Sequence, residues 1–483
     1  MQTFRKNSWI LFWSVCYLVI ASILLWKRQE FLVLFPIGLL AVFAAIYYTE
    51  QTFLALAFFT PLSVNIEQYT DSFGLFIPTE PLLFGFLLLF VMQQFLKNNI
   101  IREVWKSPIV WAVIFYLFWM LVASILSTHP IVSLKYLLAR IWLIVPLLFF
   151  GPLIFAKISN RTTFLWLFSI GMTIAMIYII LNHAQYSFGE KESHWVSWPF
   201  FKDHTIYGAT IALQTPLVIG LYFSKKYPPL TQVVLIGMII VNLLGLYFSY
   251  TRAAWLSVIG AVGVLLLIRF KIKFSWIALV VVIVGTVVAV SWTQINHYLE
   301  QNRYEHTTED FGERMQSATN VTTDASNLER INRWQCAVDM FLEKPMTGFG
   351  PGTYAFEYAR FQRPENLTII STNFGDLGNA HSEFLGALSE MGIFGLLAVI
   401  ALVATIFYQS ITLYVRWPHE EKENRILLLS MILSMTTYFI HAFLNNFLDT
   451  DKAAVPIWGM CAIVIAMQRE LNERGKEKAN TSN

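Results

Sequence analysis

Long apolar runs, separated by short polar connections, recur along almost the whole chain. A helix that spans a bilayer needs roughly 20 mostly apolar residues, because nothing in the hydrocarbon can satisfy open backbone groups. The runs predict about 14 such spans, or about 12 if the first three regroup. The predicted spans are 9–26, 31–48, 52–64, 75–96, 108–127, 131–156, 162–182, 204–223, 229–249, 253–270, 274–293, 383–408, 425–447 and 453–468.

Lysine and arginine are concentrated in alternate connections, and this asymmetry predicts the orientation of the spans. The basic connections fall on the same side as both termini, so that side is predicted to be the cytoplasm; Lys27 and Arg28 are an exception. The residues that define this side are Arg5, Lys6, Lys97, Arg102, Lys106, Lys157, Arg161, Lys225, Lys226, Arg269, Lys271, Lys273, Arg416, Lys422, Arg425, Arg469, Arg474, Lys476 and Lys478.

One predicted extracytoplasmic connection is far longer than the usual ~4–6 residues. Its apolar periodicity predicts a helix over 327–343, which Ser326 or Asn327 can cap and Pro345 ends. The glycine-rich stretch 345–353 lacks the Gly-Lys-Ser/Thr ending of a phosphate-binding loop, so we interpret it as a backbone turn. The predicted organisation is N-terminal transmembrane helices (1–293), this large loop (294–382), C-terminal transmembrane helices (383–468) and a cytoplasmic tail (469–483).

Composition agrees with a membrane protein. Hydrophobic residues make up 56% of the 483 residues and charged residues only 13%, whereas a soluble domain has about a quarter charged. The fold class predicted is therefore an all-α polytopic membrane protein. The net charge of +3 is too small to indicate nucleic-acid binding. The three cysteines provide neither a disulfide framework nor a metal site, and no cofactor is predicted.

Ionisable residues in or beside the spans are candidates for function, because a charge there costs several kcal/mol unless it is paired or solvated. For several of them a structural role is the alternative: Lys135 and Arg252 can extend to the interface, Arg330 can face water, Asp203 can cap a helix, and His381 can be a plain interfacial histidine. The candidates are Lys135, Arg140, Lys202, Asp203, His204, Arg252, Arg330, Arg333 and His381.

These candidates are predicted to gather on one face of the membrane. Arginine offers a rigid fork of donors that matches phosphate oxygens. A histidine with a pKa near 6.5 can take a proton from an attacking hydroxyl. The set therefore suits a phosphate-bearing anionic substrate. Asp449 and Asp451 are also candidate metal ligands, but turn and cap roles are favoured because no further ligands complete a set nearby.

Four segments together resemble the O-antigen ligase and polymerase superfamily of bacterial membrane glycosyltransferases. Each segment alone is weak, but their order around one long external loop makes the match specific. They are 200–209 (FFKDHTIYGA), 250–256 (YTRAAWL), Arg330 and Trp334 running on to 345–352 (PMTGFGPG), and 380–385 (AHSEFL) with 390–395 (EMGIFG).

The resemblance implies a GT-C-like, metal-independent inverting enzyme of the bacterial inner membrane with a periplasmic active site. The donor would be a glycan on undecaprenyl pyrophosphate, and the acceptor a hydroxyl of lipid A-core or of another glycan. The family's catalytic arginines map onto Arg252 and Arg330, and its histidine onto His381. The other candidates would bind substrate, although Thr205 stands where many members have asparagine.

Three alternatives stay open from the sequence. A polymerase would extend carrier-linked repeats on the same scaffold, and a protein-directed oligosaccharyltransferase would use a serine hydroxyl. A transporter or flippase belongs to another class, and it predicts inverted repeats with charges near the midplane. The chain shows no evident repeat, so glycan transfer is favoured, with O-antigen ligation as the leading function.

Overall fold

The computed structural model describes residues 35–67, 74–96, 104–272, 325–363 and 378–481, together with a few isolated positions. Each predicted span in the described residues overlaps a helix, but the helices at spans 31–48, 52–64, 75–96 and 425–447 fall short of the length or apolarity of a membrane crossing. Spans 9–26 and 274–293 lie almost wholly outside the described residues. The helices are α1 (Phe35–Tyr47), α2 (Thr49–Phe59), α3 (Thr79–Leu96), α4 (Pro108–Ile125), α5 (Pro130–Ile154), α6 (Ile158–Ala184), α7 (Glu190–Val196), α8 (His204–Ser224), α9 (Pro229–Phe248), α10 (Arg252–Arg269), α11 (Ala325–Glu343), α12 (Tyr354–Glu357), α13 (Glu383–Arg416), α14 (Lys422–His441) and α15 (Asp451–Thr481).

Eight helices within these ranges are long and apolar enough to cross a membrane: α4, α5, α6, α8, α9, α10, α13 and most of α15. This confirms the prediction of an all-α polytopic membrane protein. A short antiparallel pair, β1 (Val64–Asn65) with β2 (Phe76–Ile77), was not predicted. Its two-residue strands are too short to show a periodicity in the sequence.

Helices α8 and α14 pack closely in the interior, and α10 packs on both. The close approach is made by small residues: a Cβ on Gly220 would stand 2.3 Å from the Cβ of Ser430. The Ser434 hydroxyl donates to the Leu213 carbonyl at 2.5 Å. Small residues and interhelical hydroxyl bonds are the usual means of holding helices together in lipid. Helix α14 buries its serines and threonines here, which explains its low overall apolarity.

A buried lysine ties the start of α15 to the turn before β1. The Nζ of Lys452 donates to the carbonyls of Thr60 (2.6 Å) and Ser63 (2.8 Å), and it lies 3.9 Å from Asp451 Oδ2. Neither Lys452 nor Asp451 is exposed to any extent. Because a buried cation must be fully paired, this cluster fixes the position of α15.

The large loop contains a folded unit built on α11. The predicted helix over 327–343 is confirmed, since α11 spans Ala325–Glu343. Helix α11 packs against α13, and the stretch from α11 to α13 has a small core of its own. That core consists of Cys336, Ala337, Met340, Phe349, Tyr354, Tyr358 and Ala380.

Candidate functional site

The glycine-rich turn 345–352 docks backbone to backbone on the first part of α13. The Gly350 N–H donates to the Glu390 carbonyl (2.8 Å), and the Ile393 N–H donates to the Pro345 carbonyl (2.9 Å). Helix α13 is broken at Gly392, whose φ of 68° and ψ of −165° lie outside the helical region. The structure thus agrees with the interpretation of 345–353 as a backbone turn. The turn holds the loop unit in place on α13.

Arg333 is buried in the loop unit and engaged on several sides. Its Nε donates to Glu329 Oε1 at 2.8 Å, and its Nη1 donates to the Asn379 carbonyl at 3.3 Å. The guanidinium also lies over the Tyr358 ring, 5.1 Å from its centroid. These contacts connect α11 to the segment that precedes α13. Arg333 therefore orders the chain next to His381.

His381 lies directly before α13 in a strained backbone conformation, with φ of 46°. Its N–H is held by Asn379 Oδ1 at 2.9 Å, and its carbonyl accepts a weak bond from Trp334 Nε1 at 3.4 Å. Burial, with the nearby cations Arg333 and Arg330, lowers the pKa of His381 to about 4. The ring is therefore neutral at pH 7 and can accept a proton.

Arg330 is the point at which distant segments meet. Its charge acts on His381 before α13, on His204 at the start of α8, and on His441 at the end of α14. The structure thus brings Arg330, His381 and His204 into one region from three separate stretches of sequence. The convergence of the full candidate set on one substrate site stays a prediction.

The backbone that carries Arg252 borders the same region. The Thr251 hydroxyl donates to the His204 carbonyl at 2.8 Å, and the Ala253 backbone lies beside the ring of His441. Tyr250 turns the chain with φ of 52°, so that α10 begins at Arg252. Arg252 thus stands on a tight turn between two residues that contact histidines of the site.

The remaining candidates before α8 have structural partners. Asp203 is the N-cap of α8, with Oδ1 accepting from the N–H groups of Thr205 (2.7 Å) and Ile206 (3.1 Å). This is the capping role that the sequence favoured. Lys202 is exposed and forms an ion pair with Glu67 at 2.6 Å, which lowers the pKa of Glu67. Neither residue is directed by these contacts toward Arg330.

Two candidates lie on α5 and differ in environment. Lys135 is exposed in the early turns of the helix. Arg140 is buried and donates to the Tyr136 hydroxyl at 2.5 Å, with Glu383 Oε2 3.8 Å away. A closed cavity of about 20 Å³ adjoins Arg140 and Glu383, enough for a water molecule. Arg140 is thus part of a buried charge cluster under the start of α13.

Glu383, His441 and Asn445 were missed by the sequence reasoning. Glu383 accepts from the Tyr438 hydroxyl and the Leu448 N–H, both at 2.9 Å, which ties α13 to the turn after α14. Asn445 Nδ2 lies 3.0 Å from His441 Nε2. The available signal was a pair of polar residues, His441 and Asn445, spaced four apart at the end of a predicted span.

No group of three or more histidine, cysteine or carboxylate side chains is arranged for a metal ion in the part of the chain that the structure describes. The polar groups around Arg330 include Arg333 and the imidazoles of the site, together with the carboxylates of Asp203 and Glu329. Such a set can bind an anion and move a proton, as phosphate chemistry requires.

The described helices define an all-α polytopic membrane protein. Residues 237–400 match the family model described as O-antigen ligase, a range that contains Arg252, Arg330 and His381. The match confirms the resemblance to the O-antigen ligase and polymerase superfamily. It supports a glycosyl-transfer role of the ligase or polymerase type. No curated protein shows a significant match to the chain.

Proposed function

We propose that the chain transfers a glycan from undecaprenyl pyrophosphate to an acceptor hydroxyl at the periplasmic face, as an O-antigen ligase that uses lipid A-core. The proposal rests on one observation: Arg330, His381 and the turn that carries Arg252 border one region. All three lie within residues 237–400, which match the family model. The bilayer supplies the carrier lipid, and the reaction needs no nucleotide because the sugar–phosphate bond is already activated.

The placement of helix ends supports the periplasmic location. The site lies at the starts of α8, α10 and α13 and at the end of α14. The opposite ends of these helices carry Lys225, Arg269, Arg416 and Lys422, and basic residues favour the cytoplasmic side. This supports a site at the periplasmic end, and the inner membrane would follow from the proposed lipid-linked donor.

Arg330 and Arg252 would hold the diphosphate. As the acceptor oxygen attacks the anomeric carbon, the bond from that carbon to the phosphate oxygen breaks, and its electron pair passes to the diphosphate. Fixed donors aimed at this growing charge remove several kcal/mol from a barrier, ~3–4 for a single donor. Attack opposite the leaving phosphate inverts the anomeric centre. Lys135, Arg140, Lys202, Asp203, His204 and Arg333 would support or border the substrate region, with the structural roles described above.

His381 would take the proton of the acceptor hydroxyl. Burial and two cations together lower its pKa to about 4, and the bound diphosphate would neutralise those cations in part. The basicity of His381 would then rise when the donor is present, which couples proton transfer to donor binding. General-base catalysis of this kind is typically worth about 10²–10⁴-fold.

The proposal is tested with purified protein in liposomes, a defined carrier-linked glycan and lipid A-core, with the product followed by electrophoresis. Arg330→Lys should lower transfer by about 10²-fold or more, because a point charge cannot replace the guanidinium fork. Arg363→Lys is the matched control, since Arg363 is an exposed loop arginine paired with Asp339 at 3.0 Å. Equal activity of the two variants would contradict the role of Arg330.

The same assay without lipid A-core separates the alternatives. Growth of the carrier-linked glycan identifies a polymerase, and transfer to a serine-containing acceptor protein identifies a protein oligosaccharyltransferase. Movement of intact donor across the bilayer, without a new glycosidic bond, would identify a flippase and refute the proposed transfer.

A further inference from the structure

A groove with a volume of about 540 Å³ lies beside the first turns of α6, and the residue after α8 and the first turn of α14 complete it. This volume is usual for a ligand-binding pocket. Helix α8 begins in the candidate site and runs for 21 residues, about 30 Å, before it reaches the groove. The groove is therefore separate from that site. Its polar and aromatic lining consists of Ser159, Thr162, Thr163, Trp166, Lys225 and Glu423.

Lys225 and Glu423 bring one positive and one negative charge to the groove. The Nζ of Lys225 lies 3.1 Å from Oε1 of Glu423, and the two side chains are 46% and 41% exposed. An ion pair that is this exposed is weak. Each of the two groups can therefore exchange its partner for an opposite charge on a bound molecule.

Two aromatic residues place the groove at the level of lipid headgroups. The Nε1 of Trp166 donates to the Tyr227 hydroxyl at 3.4 Å, and the Nζ of Lys225 lies over the Tyr227 ring, 5.3 Å from its centroid. Tryptophan and tyrosine are enriched where membrane helices meet the headgroups. Helices α6 and α8 are both long and apolar enough to cross a membrane, and the groove lies at one end of each.

The matched charges of the lining select the kind of headgroup. A headgroup with only a phosphate would place its negative charge beside Glu423 as well as Lys225. An ethanolamine headgroup carries a phosphate and a primary ammonium joined by an ethylene link, so it offers an anion to Lys225 and a cation to Glu423. The ammonium also donates hydrogen bonds, which a carboxylate and hydroxyls can accept. Choline cannot donate and is usually held by a cage of aromatic rings, whereas Trp166 is the one aromatic residue in the described lining.

We propose that this groove binds a phospholipid with a phosphoethanolamine headgroup, with Lys225 and the α6 hydroxyls on the phosphate and Glu423 on the ammonium. The orientation that the basic helix ends favour would place this lipid in the cytoplasmic leaflet. The bound headgroup would join the start of α6 to the adjoining ends of α8 and α14. The proposal is independent of the proposed glycan transfer.

The test adds phosphatidylethanolamine, phosphatidylglycerol or phosphatidylcholine at equal concentration to the full chain in detergent, and native mass spectrometry counts the retained lipids. The wild-type protein should retain phosphatidylethanolamine in preference to the other two. Lys225→Met should weaken this binding roughly 5- to 10-fold, because a charged hydrogen bond is lost from a half-exposed site. Glu423→Gln should reverse the preference toward phosphatidylglycerol, because Lys225 then lacks the carboxylate that balances its charge.

Lys271→Met is the matched control, because Lys271 is an exposed lysine after α10 at the same end of the bundle, outside the lining of the groove. This variant should keep the wild-type preference. Equal retention of the three lipids by the wild-type protein would overturn the proposal, and so would an unchanged preference in Glu423→Gln. A reversed preference, unlike a loss of binding, cannot result from misfolding, so Glu423→Gln gives the decisive result.

Discussion

Gly392 offers the sharpest test of how the loop unit is held on the bundle. Its φ of 68° and ψ of −165° lie in a region that is nearly restricted to glycine, and a Cβ there would stand 2.3 Å from the Met346 carbonyl oxygen. That carbonyl cannot easily withdraw, because the Pro345 carbonyl next to it accepts from the Ile393 N–H at 2.9 Å. Gly392→Ala should therefore separate the turn from α13.

The magnitude follows from two contributions. The backbone conformation costs an alanine about 1–3 kcal/mol, and the overpacked contact costs about 1–3 kcal/mol more. A total of about 2–6 kcal/mol corresponds to a fall of at least ~4 °C in the unfolding temperature, at ~2–4 °C per kcal/mol for mid-sized domains. Transfer should fall as well, because the turn follows directly on the helix that carries Arg330.

The assay is thermal unfolding in detergent, read by loss of the monodisperse peak, together with transfer in liposomes. Gly263→Ala is the matched control: Gly263 is a helical residue of α10 with no atom within 4 Å of its Cβ position. Alanine in that helix should be neutral or stabilising by about 0.5–1 kcal/mol. An unchanged unfolding temperature in Gly392→Ala would refute the backbone-docking argument.

Three further predictions concern a buried lysine, a helix cap and the proposed base. Lys452→Met should lower stability by about 3–5 kcal/mol, measured as the unfolding temperature in detergent, because Asp451 is left buried and unpaired; adding Asp451→Asn should restore part of the loss. Asp203→Ala should cost about 1 kcal/mol in the same measurement through loss of the helix cap, while Asp203→Asn should cost less. Because burial lowers the pKa of His381 to about 4, the neutral base is lost only as the pH falls through that value. The kcat/KM for the donor reports the donor-free enzyme, so at pH 5 it should keep about nine-tenths of its pH 7 value, whereas a histidine of pKa 6.5 would keep about 4%; an acidic limb near pH 6.5 in kcat/KM would contradict this.

The transmembrane pattern was readable in the sequence because lipid imposes one strong requirement, a long apolar helix, on each span. Spans such as 108–127 and 204–223 correspond to α4 and α8 within two residues. Helix α11 of the large loop was equally predictable, because an apolar stripe marks its length and Pro345 marks its end. Asp203 was correctly favoured as a cap, because Asp before a helix has a local physical reason to be there.

The site was only partly predictable, because its contacts join residues far apart in the chain. The candidate status of Arg330 and His381 followed from residue type and resemblance, and their roles remain proposals. The engagement of Arg333 with Asn379 depends on a fold that no local pattern encodes. Asn445 was missed because an asparagine after a long helix is a common turn residue, although its contact with His441 is local.

The burial of serines and threonines along α14 has a consequence for how the protein is assembled. A segment with that many hydroxyls partitions poorly into hydrocarbon by itself. It becomes compatible with the bilayer once its hydroxyls face α8 and α10, as with Ser434 against Leu213. Helix α14 is synthesised long after both neighbours, so they are already in place when it leaves the ribosome. Membrane integration of α14 thus depends on the prior insertion of α8 and α10, which form the surface that α14 packs against.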